Sequence, residues 1–235
     1  MSILEQLLAA RQSGARLLAV LLDPEKQGVA ELNDFFRRIE SLPVTHFLVG
    51  GSTGSGPATD TLVRALKART HLPVVLFPGS SDQLSDAADG LLFLSLLSGR
   101  NPEYLIGQQV QAAAVLRQAP YEVLATAYLL LDGGNESAVQ RVSETLPLSQ
   151  ENSELIVDTA FAAQLLGFKL LYLEAGSGAA VPVRESVIEQ VFNTVDLPLV
   201  VGGGIRSKSA LEAAYRAGAT MVVVGTAFEK EFSEF

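Results

Sequence analysis

Three carboxylates, Asp23, Asp132 and Glu174, each stand at the end of a run of apolar residues. A carboxylate so close to greasy chain is expensive to bury without a donor or a cation, so each needs a reason to be there. Asp23 opens the segment Asp23-Pro24-Glu25-Lys26, and the next apolar run ends in Gly50-Gly51-Ser52-Thr53-Gly54. Asp23 and Ser52 together offer two hard oxygens. That suits Mg²⁺, which takes one or two protein oxygens and completes its shell with phosphate and water. The same Asp-Pro pair also reads as a helix N-cap with proline at the first helical position. Glu174 shares its side of the chain with Tyr172, whereas Leu173 points the other way. A carboxylate there could take a proton from a substrate hydroxyl, and an ion pair with a nearby lysine or arginine is the competing account. Asp132 begins Asp-Gly-Gly, which is either a second acid-base group or an ordinary turn opener.

Glycine marks the ends of three late apolar runs: Gly176-Ser177-Gly178, Gly203-Gly204 and Gly225-Thr226. Glycine lets backbone approach an anion closely, and exposed N–H groups near a helix start donate to its oxygens. One such loop could be only a tight turn, but three together point to a phosphate cradle. Seventeen basic against 26 acidic residues give a net charge of −9, which speaks against a nucleic-acid partner or a broad cationic surface. The absence of cysteine excludes disulfides and thiolate chemistry, and His46 and His71 are too few for a histidine-rich metal centre. Both precede apolar runs, the end of the chain's strands that serves stability.

The elements that must carry these groups recur along the chain. Apolar runs occupy Leu17–Leu22, Phe47–Val49, Val74–Phe77, Leu91–Leu97, Val123–Leu131, Leu170–Leu173, Leu199–Val201 and Met221–Val224. None alternates polar with apolar, so each reads as a strand covered on both faces. Helical spacing fills Val29–Glu40, Thr61–Thr70, Asn101–Gln118, Glu154–Leu166, Val183–Val195 and Ser207–Ala217. Strands alternating with helices demand parallel pairing. Eight such units in 235 residues predict one domain, residues 1–235, folded as a single α/β (β/α)₈ TIM barrel. An open doubly wound sheet is the rival. The polar link Gly79–Gly90 predicts a third helix that is short or replaced by extended chain, and Asp132–Gln150 predicts an excursion over the barrel mouth. The opening MSILEQLLAARQSGARLL reads as an amphipathic helix rather than a signal peptide, and no apolar run approaches the ~18 residues of a membrane span. A soluble cytoplasmic protein without a membrane anchor is expected. In such barrels the strand C-termini hold the site. The unusually greasy stretches Leu91–Leu97 and Val123–Leu131, with Tyr104 and Tyr128, are either core filling or an apolar groove opposite the phosphate cradle.

The strings LLDPEK, FLVGGSTGSG, LSLLSGRNPEYLIGQ, YLEAGSGA, VGGGIRS and VVGTAFE resemble the geranylgeranylglyceryl phosphate synthase family, which includes heptaprenylglyceryl phosphate synthases. The resemblance implies a prenyltransferase that joins a prenyl diphosphate, geranylgeranyl diphosphate foremost, to the primary hydroxyl of sn-glycerol 1-phosphate. It implies Asp23 and Ser52 as Mg²⁺ ligands and Glu174 as the catalytic base. It implies glycerol phosphate contacts at Tyr172, Leu173, Glu174, Ala175, Gly176, Ser177, Gly178, Gly203, Gly204, Gly225 and Thr226. Lys26 is a candidate helper for the diphosphate, and a homo-oligomer, dimer or larger, is the expected assembly. The alternative is a sugar-phosphate isomerase or cyclase that uses Asp23 and Asp132 as an acid-base pair.

Overall fold

Every apolar run becomes a strand, and the eight strands close on themselves. The computed structural model describes residues 1–52 and 54–225; Thr53 and residues 226–235 lie outside the described residues. The strands are β1 (Leu17–Leu22), β2 (His46–Val49), β3 (Val74–Leu76), β4 (Gly90–Leu96), β5 (Glu122–Leu130), β6 (Leu170–Glu174), β7 (Leu199–Gly202) and β8 (Met221–Val224). They form a closed barrel in chain order. All pairings are parallel, and closure is made where Leu17 faces Met221 and Val20 faces Val224.

Continuous apolarity follows from the two layers the strands serve. Inward side chains, among them Ala19, Leu48, Val75, Tyr128 and Tyr172, fill the barrel. Their alternates, among them Val20, Phe47, Val49, Leu129 and Leu173, pack under the helices. The barrel floor is plugged by α1 (Ile3–Ser13), whose Ile3 and Leu7 join the inner cluster. A reciprocal Ser2–Glu5 capping box starts this helix. Glu122 at the foot of β5 accepts from the N–H groups of Ile3 and Leu4 at 2.6 and 3.2 Å.

The outer helices are α2 (Leu32–Ile39), α3 (Gly56–Lys67), α4 (Gln108–Leu116), α6 (Ser153–Leu165), α7 (Glu185–Thr194) and α8 (Lys208–Arg216). A short 3₁₀ turn, Val29–Glu31, leads into α2, and a π-helical turn, Glu103–Gly107, leads into α4. Between β3 and β4 there is no helix: residues 77–89 run as turns and extended chain, as their Pro, Gly and Asp content predicts. The excursion after β5 carries one feature its sequence did not announce, the six-residue helix α5 (Ala138–Ser143). The Tyr104 hydroxyl donates to the Val142 carbonyl at 2.7 Å and the Asn101 amide to the Ser143 carbonyl at 2.8 Å, which hold α5 beside the π turn.

His46 is the first residue of β2 rather than a residue before it. It is buried, and its Nδ1 pairs with the Thr45 hydroxyl at 2.9 Å. Burial pulls its pKa down to about 4, so it is neutral at pH 7 and serves the floor of the barrel. Among the described residues no helix is long and apolar enough to cross a membrane.

Candidate active site

Glu174 is the last residue of β6, opposite Leu130 of β5 and Gly202 of β7. Strand alternation turns its side chain inward with that of Tyr172, above a stack of rings. Phe77 lies flat on Tyr172 with centroids 5.1 Å apart and planes 6° from parallel, and Tyr128 closes on Tyr172 at 5.3 Å. The carboxylate is 6% exposed, and its Oε1 accepts from the Gly176 N–H at 2.7 Å. Burial pushes its pKa up to about 7 against the opposing pull of the Gly176 N–H and the Tyr172 hydroxyl. That hydroxyl is itself buried and makes no hydrogen bond of good geometry, so its pull is through proximity. Among the described residues no lysine or arginine forms an ion pair with Glu174, so the reading as a structural salt bridge is not what the fold builds.

The glycines at the end of β7 and just past it are demanded by this carboxylate. A Cβ on Gly202 would come 2.5 Å from the Tyr172 hydroxyl and 2.6 Å from Glu174 Oε2. One on Gly203 would come 2.5 Å from Glu174 Oε1, and the φ of +83° there is open to glycine almost alone. Gly203, Gly204, Ser177, Gly178 and Gly225 all face one cavity. Arg206 donates to the carbonyls of Gly178 and Ala179 at 3.0 and 2.8 Å, which ties the loop after β6 to the loop after β7.

Asp23 follows β1 on the same rim. Its Oδ1 accepts from the Glu25 N–H at 3.0 Å, and its Oδ2 lies 3.4 Å from Lys26 Nζ. No helix begins at Pro24, so the N-cap reading gives way to a hydrogen-bonded turn closed by Lys26 and Gln27 N–H groups on the Asp23 carbonyl. Gly51 packs against the carboxylate, with space for a Cβ only 3.1 Å from Oδ1, and Ser52 comes next; Asp23, Lys26 and Ser52 all line the cavity. Among the described residues no group of three or more His, Asp or Glu side chains could hold a metal alone. One carboxylate and one hydroxyl fit a cation that arrives with a phosphorylated substrate, the habit of Mg²⁺.

The cavity measures about 440 Å³. Besides the polar rim, its lining includes an apolar slot of Phe77, Leu84, Leu91, Phe93, Tyr104 and Ala112. The slot lies where residues 77–89, the connection between β3 and β4, form no helix. Both readings of the greasy strands therefore hold, since they fill the core and also wall a groove.

Not every expected contact residue lines the cavity. The side chains of Leu173 and Ala175 pack in the layer beneath the helices, which leaves their backbone groups for a ligand, and the Gly176 N–H donates to Glu174. Thr226 falls outside the described residues. Asp132 is exposed, does not face the cavity, and accepts from the Gly134 N–H at 2.9 Å as a turn opener does. It stands apart from Asp23, so the isomerase or cyclase pairing is not formed. The sequence reading also missed Phe77, Arg206 and the α5 residues Val139, Arg141 and Val142, which face the cavity. Only Arg206, directly behind three glycines and Ile205, carried a signal that could have found it.

The model of the PcrB family matches residues 13–235. The chain is 52% identical over 229 residues to the geranylgeranylglyceryl phosphate synthase of Zunongwangia profunda, with 97% of each chain covered. It is 49% identical over 230 residues to that of Flavobacterium johnsoniae, with 98% of this chain and 95% of the relative covered. Among solved structures, the (S)-3-O-geranylgeranylglyceryl phosphate synthase of Thermoplasma acidophilum in complex with its substrate sn-glycerol-1-phosphate superposes with a TM-score of 0.92 at 38% identity, covering 98% of this chain and 93% of that one.

Proposed function

The chain belongs to the PcrB family and is a prenyltransferase of the geranylgeranylglyceryl phosphate synthase type; from that premise we propose that it joins the prenyl group of geranylgeranyl diphosphate to the primary hydroxyl of sn-glycerol 1-phosphate, with Mg²⁺ as cofactor. One observation carries the reading: a single cavity brings together a proton acceptor, a carboxylate suited to a dication, and an apolar slot. A sugar-phosphate enzyme would have no use for the slot.

Glycerol phosphate would lie with its phosphate against Ser177, Gly178, Gly203 and Gly204, which leaves its free primary hydroxyl toward Glu174. The prenyl donor would extend its tail along Phe77, Leu91 and Phe93, with its diphosphate near Asp23, Lys26 and Ser52. The allylic C–O bond to the diphosphate breaks, and the leaving oxygen keeps the electron pair. The glycerol oxygen forms the new ether bond to that carbon, and its proton passes to a Glu174 oxygen. A pKa of about 7 suits this base, since it is ionised for about half the population at neutral pH and binds the proton well enough to take it. Asp23 and Ser52 would hold Mg²⁺, which when bound neutralises charge on the departing diphosphate. Holding both substrates in one pocket makes the encounter effectively intramolecular, and the aromatic and aliphatic wall keeps water from the allylic carbon.

The deciding experiment incubates the protein with sn-glycerol 1-phosphate, Mg²⁺ and prenyl diphosphates of several lengths, with products read by mass spectrometry. A prenylglyceryl phosphate is the expected product, most abundant with the geranylgeranyl donor. Release of diphosphate without an ether product, or no reaction with any length, overturns the proposal.

A further inference from the structure

The loop that carries Ser52 is built on the segment that replaces the third barrel helix. Gln83 lies in that segment and is 1% exposed. Its amide is satisfied at both ends by backbone: Oε1 accepts from the Gly79 N–H at 3.0 Å, and Nε2 donates to the Gly54 carbonyl at 2.6 Å. One side chain thus bridges the loop after β3 to the loop after β2. The two segments also touch at Gly79 and at Gly56. A Cβ on Gly79 would come 2.5 Å from the Gly51 carbonyl oxygen and 2.8 Å from Ser52 Cα, and one on Gly56 would collide with the Asp82 carbonyl. A Cβ on Gly54 would come 3.2 Å from Pro24 Cγ, so the same loop also rests on the turn behind Asp23.

A buried amide is costly unless both its ends are paired, and an apolar residue of like size would fill the space without that demand. Gln83 does not line the cavity. We infer that Gln83 is a positioning residue that sets Ser52 and Gly51 against Asp23 where the donor's diphosphate binds, and that it leaves the glycerol phosphate cradle untouched. This deepens the proposed function and rests on it. The cradle loops after β6 and β7 lie across the mouth and are tied to each other by Arg206 instead. The two halves of the site are therefore separately anchored.

The test measures binding of inorganic diphosphate in Mg²⁺, and separately of sn-glycerol 1-phosphate, by calorimetry on the parent, Gln83→Leu and Gln83→Glu. Losing the bridge should weaken diphosphate binding about tenfold or more and leave glycerol phosphate binding within about twofold. In turnover the donor KM should rise, with the glycerol phosphate KM unchanged. Gln83→Glu supplies a second reading should Gln83→Leu fail to fold. A protonated carboxyl reproduces the donor-acceptor pattern of the amide. The deficit of Gln83→Glu against the parent should therefore shrink from about pH 8 to about pH 5.5. Equal diphosphate affinities in parent and variants overturn the role of Gln83 alone. A parallel loss of both affinities, or a Gln83→Glu deficit that ignores pH, also overturns it, since that is what general loosening of the barrel would give. A parent that takes up no diphosphate with Mg²⁺ overturns the proposed function and this inference together.

Discussion

A carboxyl that titrates near neutrality is worth having only where a proton must move, and Glu174 reaches that state without any charged neighbour. The buried seat raises its pKa, and the Gly176 N–H and the Tyr172 hydroxyl limit the rise to about 7. On the proposed mechanism the base must be ionised, so turnover at saturating substrates should climb about tenfold per pH unit below about 7 and level off above it. Glu174→Gln keeps the shape and the acceptor for Gly176, so it should cut kcat by about 10²- to 10⁴-fold, abolish that pH limb, and leave glycerol phosphate affinity nearly unchanged. A retained pH limb in the variant would assign the base elsewhere. On the same proposal Asp23 serves the diphosphate half of the chemistry. Asp23→Asn keeps the turn to Glu25 but removes the charge, and should raise the Mg²⁺ concentration for half-maximal activity on the order of tenfold to a hundredfold, a shift that a metal titration reads directly. Single residues of this kind were legible in the sequence because an acid at the end of a greasy run is conspicuous. The motif Tyr172 to Gly178 reads as contiguous in the sequence, whereas a strand sends alternate side chains to opposite faces, so those of Leu173 and Ala175 pack beneath the helices and only their backbone can serve a ligand.

At the scale of elements, the strands could be read to within about a residue at either end because each is buried on both faces and so apolar throughout. The helices were legible where a stripe spans two turns or more and illegible where it does not. At six residues, α5 is too short to show a period, and the π turn at Glu103–Gly107 hides inside what reads as a continuous helix. Pairings across loops were out of reach for another reason. The Gln83–Gly54 bond joins residues 29 apart in the chain, and no local pattern encodes it. On the proposed function, donor specificity belongs where the connection between β3 and β4 forms no helix, and there the cavity is lined by Leu84 of that connection and Ala112 of α4. Ala112 is 7% exposed, so a larger side chain there has to enter the slot or displace α4. Ala112→Phe should shorten the longest donor accepted while short prenyl diphosphates still react, as product lengths by mass spectrometry would show. Equal use of all lengths would mean that the tail leaves the barrel by another route.

The whole molecule separates function from stability between its two ends, and its pH behaviour should reveal both. At the mouth, Glu174 is raised from an ordinary 4.5 to about 7, so the folded state holds a proton that the unfolded chain has lost. Its contribution is therefore full below pH 4.5 and is lost as pH rises through 7. At the floor, His46 is lowered from 6.5 to about 4, so the unfolded chain takes a proton that the folded state refuses. Its contribution is full above pH 6.5 and is lost as pH falls through 4. The strand β2 that begins with His46 and the strand β6 that ends with Glu174 put these groups at opposite ends of the barrel, far enough apart for their effects to add. Between pH 4.5 and 6.5 the two slopes are equal and opposite, so together they leave stability level. Removing either should expose the other. Glu174→Gln should gain stability relative to the parent as pH rises across that range, by about 1.4 kcal/mol per unit, reaching on the order of 3 kcal/mol at neutral pH. The same variant would then be more stable and nearly inactive, as expected where a site holds a charge its surroundings disfavour. Urea unfolding of both proteins at a series of pH values gives the comparison directly. Parallel stability curves for parent and variant would mean that Glu174 titrates in the folded protein as it does in the unfolded chain, and the case for it as a base poised at neutrality would fall with them.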